Sequence, residues 1–176
     1  GHFPVPNPKD WYVNVGADGC WLVADRRSGP AKLTILPGTM LEKSVRGYFM
    51  LRGNGLSNFP FDPLRPTNGA TYQGFIVAFG FAFDWNVGVK PFLWAEVHGG
   101  FDVLVASAPL VVAGRGWIGG SLHVGPLSVG VDATLHFILA PGRSPYVQAK
   151  VCGEIDLWLT SVRKCVDFGI GGDPPT

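Results

Sequence analysis

Glu96 and His98 stand two residues apart, so an extended strand places both on one face. Together with His123 and His136 they are the residue types that suit a zinc or iron site. The neighbours on that face, Phe92 and Trp94, are aromatic, and no two histidines share the close spacing such sites use on one strand. Glu96 and His98 therefore read as hydrogen-bonded polar groups, with no metal and no other cofactor expected. Ser121, His123 and Asp132 supply the types for a nucleophile, a base and an orienting acid, but no nucleophile-elbow sequence surrounds the serine. Acid–base chemistry needs two carboxylates held in contrasting environments. Asp84, Glu96, Asp102, Asp132, Glu154 and Asp156 all fall opposite apolar residues in alternating segments, which reads as a solvated face. The many glycines form no phosphate-binding loop. The sequence names no catalytic residue, and an enzyme is the third choice among the functions considered.

The elements that carry these residues announce themselves by period. Over residues 75–89 every second side chain is large and apolar: Phe75, Val77, Phe79, Phe81, Phe83, Trp85, Val87 and Val89. Ala78, Gly80, Ala82, Asp84, Asn86 and Gly88 lie between them. A strand sorts these residues onto two faces, and a helix does not. Residues 127–139 and 146–159 alternate in the same way, and shorter strands are expected over 11–15, 31–36, 45–52, 92–98, 101–107, 110–118 and 162–170. Pro91, Gly99-Gly100, Pro109 and Pro141-Gly142 read as breaks between them. No stretch has helical patterning.

The expectation is an all-β, antiparallel fold of long, strongly curved strands, forming a barrel-like or folded-over sandwich with mostly meander connectivity. Residues 1–10 read as an extended Pro-rich arm, 11–170 as a single β domain and 171–176 as a flexible tail. Within the domain, residues 53–69 hold Pro60, Pro63 and Pro66 and read as a long loop or lid.

Composition narrows the partners. The 176 residues are 47% apolar and only 15% charged, with a formal net charge of +1. No cluster of Lys and Arg exists to meet a phosphate backbone, so no nucleic acid is expected. No apolar run reaches helical membrane-spanning length, and a membrane is not the expected partner either. Cys20, Cys152 and Cys165 form no C-x-x-C pair, which disfavours structural zinc. Cys152 and Cys165 fall on neighbouring strand candidates, leaving open a disulfide between them or three reduced thiols. An extracellular or cell-surface place is slightly favoured.

The segment from 75 to 171 resembles β-rich modules of large uncharacterised bacterial proteins. The residues that carry this are Gly100-Phe101-Asp102-Val103-Leu104-Val105 with the Pro-led strand after Pro109, and Val124-Gly125-Pro126-Leu127-Ser128-Val129. Pro145-Tyr146-Val147-Gln148-Ala149-Lys150 and Cys165-Val166-Asp167-Phe168-Gly169 complete the set, and Gly47-Tyr48-Phe49-Met50 adds to it. The resemblance implies a module of a longer chain with no assigned reaction.

These observations point to a non-catalytic structural or binding module, docking to neighbouring domains or to other protein subunits. The alternative is a carrier of a lipid-like small molecule in a hydrophobic cavity, with Phe79, Phe81, Phe83 and Trp85 as its wall and Phe59 and Phe61 on the lid. Ordinary core is the simplest use of the aromatic stripe, with residues 127–139 and 146–159 facing it.

Overall fold

A computed structural model describes residues 11–15, 31–37, 39–53, 73–157 and 159–171. It is all-β and antiparallel. The strands are β1 (Tyr12–Val15), β2 (Ala31–Ile35), β3 (Lys43–Arg52), β4 (Gln73–Val89), β5 (Leu93–Ala108), β6 (Leu110–Val124), β7 (Leu127–Leu139), β8 (Tyr146–Leu157) and β9 (Thr160–Ile170). They form one sheet in the order β1-β3-β4-β5-β6-β7-β8-β9, with β2 also paired to β3, and the sheet is not closed into a barrel. From β3 onward each strand pairs with the next in sequence, so the connectivity is a meander.

Residues 93–108 are one strand rather than two. Gly99 and Gly100 do not turn the chain; they pair with Ile118 and Trp117 on β6 and with Phe83 and Ala82 on β4. Bulky neighbours explain why glycine stands there. The Phe83 ring lies over Gly99 on one face, and the Trp117 ring lies over Gly100 on the other, where a Cβ would meet Trp117 Cζ2 at 2.5 Å. The glycines are seats for aromatic side chains inside a continuous ladder, the use that glycine–aromatic pairs serve in other sheets.

Regular pairing, shifted only between Gln73 and Ile76 on β4, sorts the sheet into two faces. One face, here called outer, carries the stripe from Phe75 to Val89. Its cross-strand partners there include Phe49 on β3, Phe101 on β5, Ile118 on β6, Val131 on β7, Val151 on β8 and Val166 on β9. The inner face carries the residues between them. Residues 127–139 and 146–157 are therefore neighbours in the same sheet and do not face the stripe. The burial also runs opposite to the expectation. Phe75, Phe79, Phe81, Trp85, Val87 and Val89 are exposed, whereas Ile76 and Ala78 between them are buried.

The core lies at one end of the inner face. Register places Met50, Ala78, Leu104, Ala113, Ile138 and Tyr146 in one row across six strands, with Ile76, Ala106 and Val111 in the next. Met50, Ile76 and Leu104 are fully buried there. The remaining rows of the inner face are polar.

Candidate functional site

The first polar row beside the core holds the most buried charge among the described residues. Tyr48, Gly80, Asp102, Arg115, His136 and Gln148 follow one another across β3 to β8. Asp102 is 2% exposed, and Arg115 Nε donates to its Oδ2 at 2.7 Å. Tyr48 shares the same carboxylate. Gly80 leaves the room this requires, since a Cβ there would strike both Asp102 Oδ1 and the Tyr48 ring.

Burial pushes the Asp102 carboxyl above the usual carboxylate range, and the Arg115 charge and hydrogen bonds pull against that rise. Burial likewise pushes the Tyr48 phenol far above its ordinary range, with the Asp102 charge adding to the effect. His136 moves the other way, because burial and then the Arg115 charge both disfavour its protonated form. The cluster thus holds one internal ion pair, a phenol kept protonated and an imidazole kept neutral. A cavity of about 190 Å³ opens beside it, lined by Arg46, Tyr48, Asp102, Arg115 and Trp117.

Beyond this row, the polar groups pair with each other across strands. Asp84 accepts from Ser44 Oγ at 3.0 Å and from Arg46 Nη2 at 2.9 Å. His98 Nε2 lies 3.1 Å from Asp132 Oδ1, and Lys90 Nζ donates to Glu96 at 3.3 Å. Lys150 reaches Asp167 at 3.8 Å, and Arg163 reaches Glu154 at 3.7 Å.

The residues singled out from sequence take the following places. Glu96 and His98 share the inner face, but their partners are Lys90 and Asp132. No group of three His, Cys, Asp or Glu among the described residues is placed to hold a metal ion. Ser121 Oγ lies 2.7 Å from His123 Nε2, yet Asp132 is engaged with His98, so the three do not form a relay. The His123 ring is stacked on Trp94 with centroids 3.6 Å apart. The carboxylates do not form one solvated face, since Asp102 is buried. Cys152 and Cys165 are cross-strand partners on the inner face and are joined by a disulfide.

Phe79, Phe81, Phe83 and Trp85 lie together on the outer face of β4. Phe101 of β5 sits 6.3 Å from Phe79 and 6.4 Å from Phe81. Lys43 Nζ lies 4.4 Å over the Trp85 ring. Phe59 and Phe61, with the rest of the expected lid from residue 54 to 69, fall outside the described residues. The sequence reading missed the Tyr48–Asp102–Arg115 cluster. Its signal was present: Asp102 interrupts the apolar run Phe101-Val103-Leu104, and Arg115 stands alone between Gly114 and Gly116.

Charge is partitioned between the faces. Across β4 to β8 every outward position is apolar or glycine except Ser107 at the end of β5. The charges found on the outer face elsewhere are Lys43, at the start of β3, and Lys164 on β9. No family model matches this chain, and no curated protein or solved structure matches it.

Proposed function

We propose that the chain is a non-catalytic structural and binding module whose outer face lies against lipid acyl chains. The observation that carries the reading is the absence of any charged side chain from the outer face of five successive strands, while the inner face of the same strands is charged. Exposed apolar patches on ordinary monomers reach a few hundred Å². Here Phe79, Phe101, Ile118, Val131 and Val151 continue one exposed apolar surface over those five strands. Alternation of apolar-out with polar-in along long antiparallel strands is what a hydrocarbon phase imposes on a β wall.

In this reading the sheet curves, barrel-like, with the polar rows on its inner side. The disulfide between Cys152 and Cys165 fits an oxidising compartment.

A second reading is a neighbouring protein sheet covering the same face. It is favoured by the Phe79–Phe101–Phe81 group, which lies in the middle of the strands rather than in belts at their ends. Tryptophan quenching by brominated phosphatidylcholine separates the two. Lipid contact gives quenching that falls when Trp85 is replaced by Phe and persists in Trp117→Phe, because Trp117 is on the inner face. Quenching in vesicles marks a bilayer; retention of individual lipids in native mass spectrometry after mild extraction marks a carrier. Neither signal, with no uptake of an apolar dye, would sink the lipid reading.

A further inference from the structure

β9 ends the sheet. Its 11 residues pair with β8 without a break from Val147↔Ile170 to Leu157↔Thr160, and no strand covers its other side among the described residues. Every residue of it is exposed. Half of its backbone N–H and C=O groups point away from β8. Natural edges are blunted with proline, bulges or charged side chains, lysine above all. β9 contains no proline and no bulge; its one outward charge is Lys164, and its inward charges are one of each sign, Arg163 and Asp167.

That pair of charges selects a partner. A second copy of β9, laid antiparallel about a two-fold axis at Cys165, overlaps the full strand from Thr160 to Ile170. This register puts Arg163 opposite the partner's Asp167, and Asp167 opposite the partner's Arg163. The outer face continues with Val162 opposite the partner's Phe168 and Thr160 opposite the partner's Ile170, while Lys164 falls opposite the partner's Val166 and meets no like charge. Other two-fold registers that keep the faces aligned lose the match. An axis at Arg163, Lys164 or Asp167 sets that charge against its own copy, and an axis at Val166 leaves both Arg163 and Asp167 without an opposite charge. Slips that exchange the faces put apolar residues against the polar rows.

The ion pairs already present extend across the join. Arg163 lies 3.7 Å from Glu154, and Asp167 lies 3.8 Å from Lys150. The row would read Glu154, Arg163, the partner's Asp167, the partner's Lys150, alternating in sign at every step. We infer that two copies of this chain join edge to edge through β9 in the register centred on Cys165, continuing the meander into one larger sheet. The inference rests on the strand edge and not on what covers the outer face.

Light scattering on the whole chain, in non-ionic detergent, tests it. The expected result is a dimer. Arg163→Asp and Asp167→Arg should each weaken it about tenfold or more, since two symmetric pairs become repulsive, and the double exchange should recover part of the loss, because the pairs across the join return while those with Glu154 and Lys150 become repulsive. A Val162→Cys/Phe168→Cys variant, in a Cys20→Ser background, should form intermolecular disulfides. This readout stands even if the charge variants fold poorly. A monomer at high concentration would overturn the inference. So would a dimer indifferent to both reversals, one that does not cross-link between 162 and 168, or an edge that pairs only with a different protein.

Discussion

Arg115 and Asp102 are directly opposite each other on β6 and β5, and their 2.7 Å bond is the most buried ion pair among the described residues. The arginine keeps its guanidinium over the Trp117 ring at 5.0 Å, while the carboxylate sits beneath Tyr48 beside the core. A charged pair in this position is sensitive to losing one member.

Asp102→Ala should therefore destabilise the protein by about 3–5 kcal/mol, because Arg115 and Tyr48 lose a buried acidic partner. Asp102→Asn keeps an acceptor for Arg115 and removes the desolvated charge, so it should stay within about 1 kcal/mol of the parent. Urea unfolding at neutral pH measures both. Comparable losses for the two variants would show that charge, rather than hydrogen bonding, holds the cluster.

The pH dependence follows from His136. Its folded pKa is lowered from 6.5, so the unfolded chain takes up the proton first as pH falls. The contribution of this group to stability is present above 6.5 and is lost as pH drops through that value toward the folded one. Arg115 on β6 and Gln148 on β8 flank it in the row. His136→Gln should flatten the stability curve below pH 6.5 relative to the parent. An unchanged slope would place the acid sensitivity elsewhere.

Asp102 has the opposite sign. Its folded pKa is raised from 3.8, so the folded state holds the proton more firmly. That group's contribution is full below 3.8 and is lost as pH rises through its folded value. In Asp102→Asn the loss should disappear, and the difference between variant and parent should move in the variant's favour as pH rises above 3.8. Chemical denaturation at several pH values follows it.

The aromatic seats give a steric prediction. Gly100→Ala puts a Cβ against Trp117 and the Phe81 carbonyl, with a cost of about 1–3 kcal/mol from overpacking. Trp117→Ala alone should also destabilise. Combined with Gly100→Ala, it should cost less than the two changes added together, because one clash is relieved. Additive costs in a double-mutant cycle would mean that the ring does not rest on Gly100.

On the outer face, Val131→Lys tests the lipid reading, since Val131 is exposed near the middle of β7. In water the change should move stability by no more than about 0.5 kcal/mol. In lipid the same lysine should cost about 2–4 kcal/mol and cut vesicle binding. Equal effects in both media would count against acyl-chain contact.

Much of the architecture was legible because it is local. The period of two over residues 75–89, 127–139 and 146–157 fixes strands, and short Pro/Gly turns such as Pro141-Gly142 fix antiparallel neighbours. The double glycine at 99–100 misled, since a glycine pair in sequence marks a turn or a seat for a ring, and only the opposing Phe83 and Trp117 tell which. The cluster of Tyr48, Asp102 and Arg115 was hidden for a related reason. Its members are far apart in sequence and meet only when β3, β4, β5 and β6 lie in register.

What the sequence determined by itself is the partition of each strand into an apolar face and a polar one, because side-chain direction alternates with every residue. What it left open is which face is covered. The simplest expectation buried the large aromatic side chains and exposed the carboxylates. Tertiary structure set the stripe from Phe75 to Val89 outward and buried Ile76, Ala78 and Asp102 on the other side. The physical reason is that alternation assigns residues to faces, whereas burial depends on what lies across each face. That is decided by how the strands are joined in one sheet.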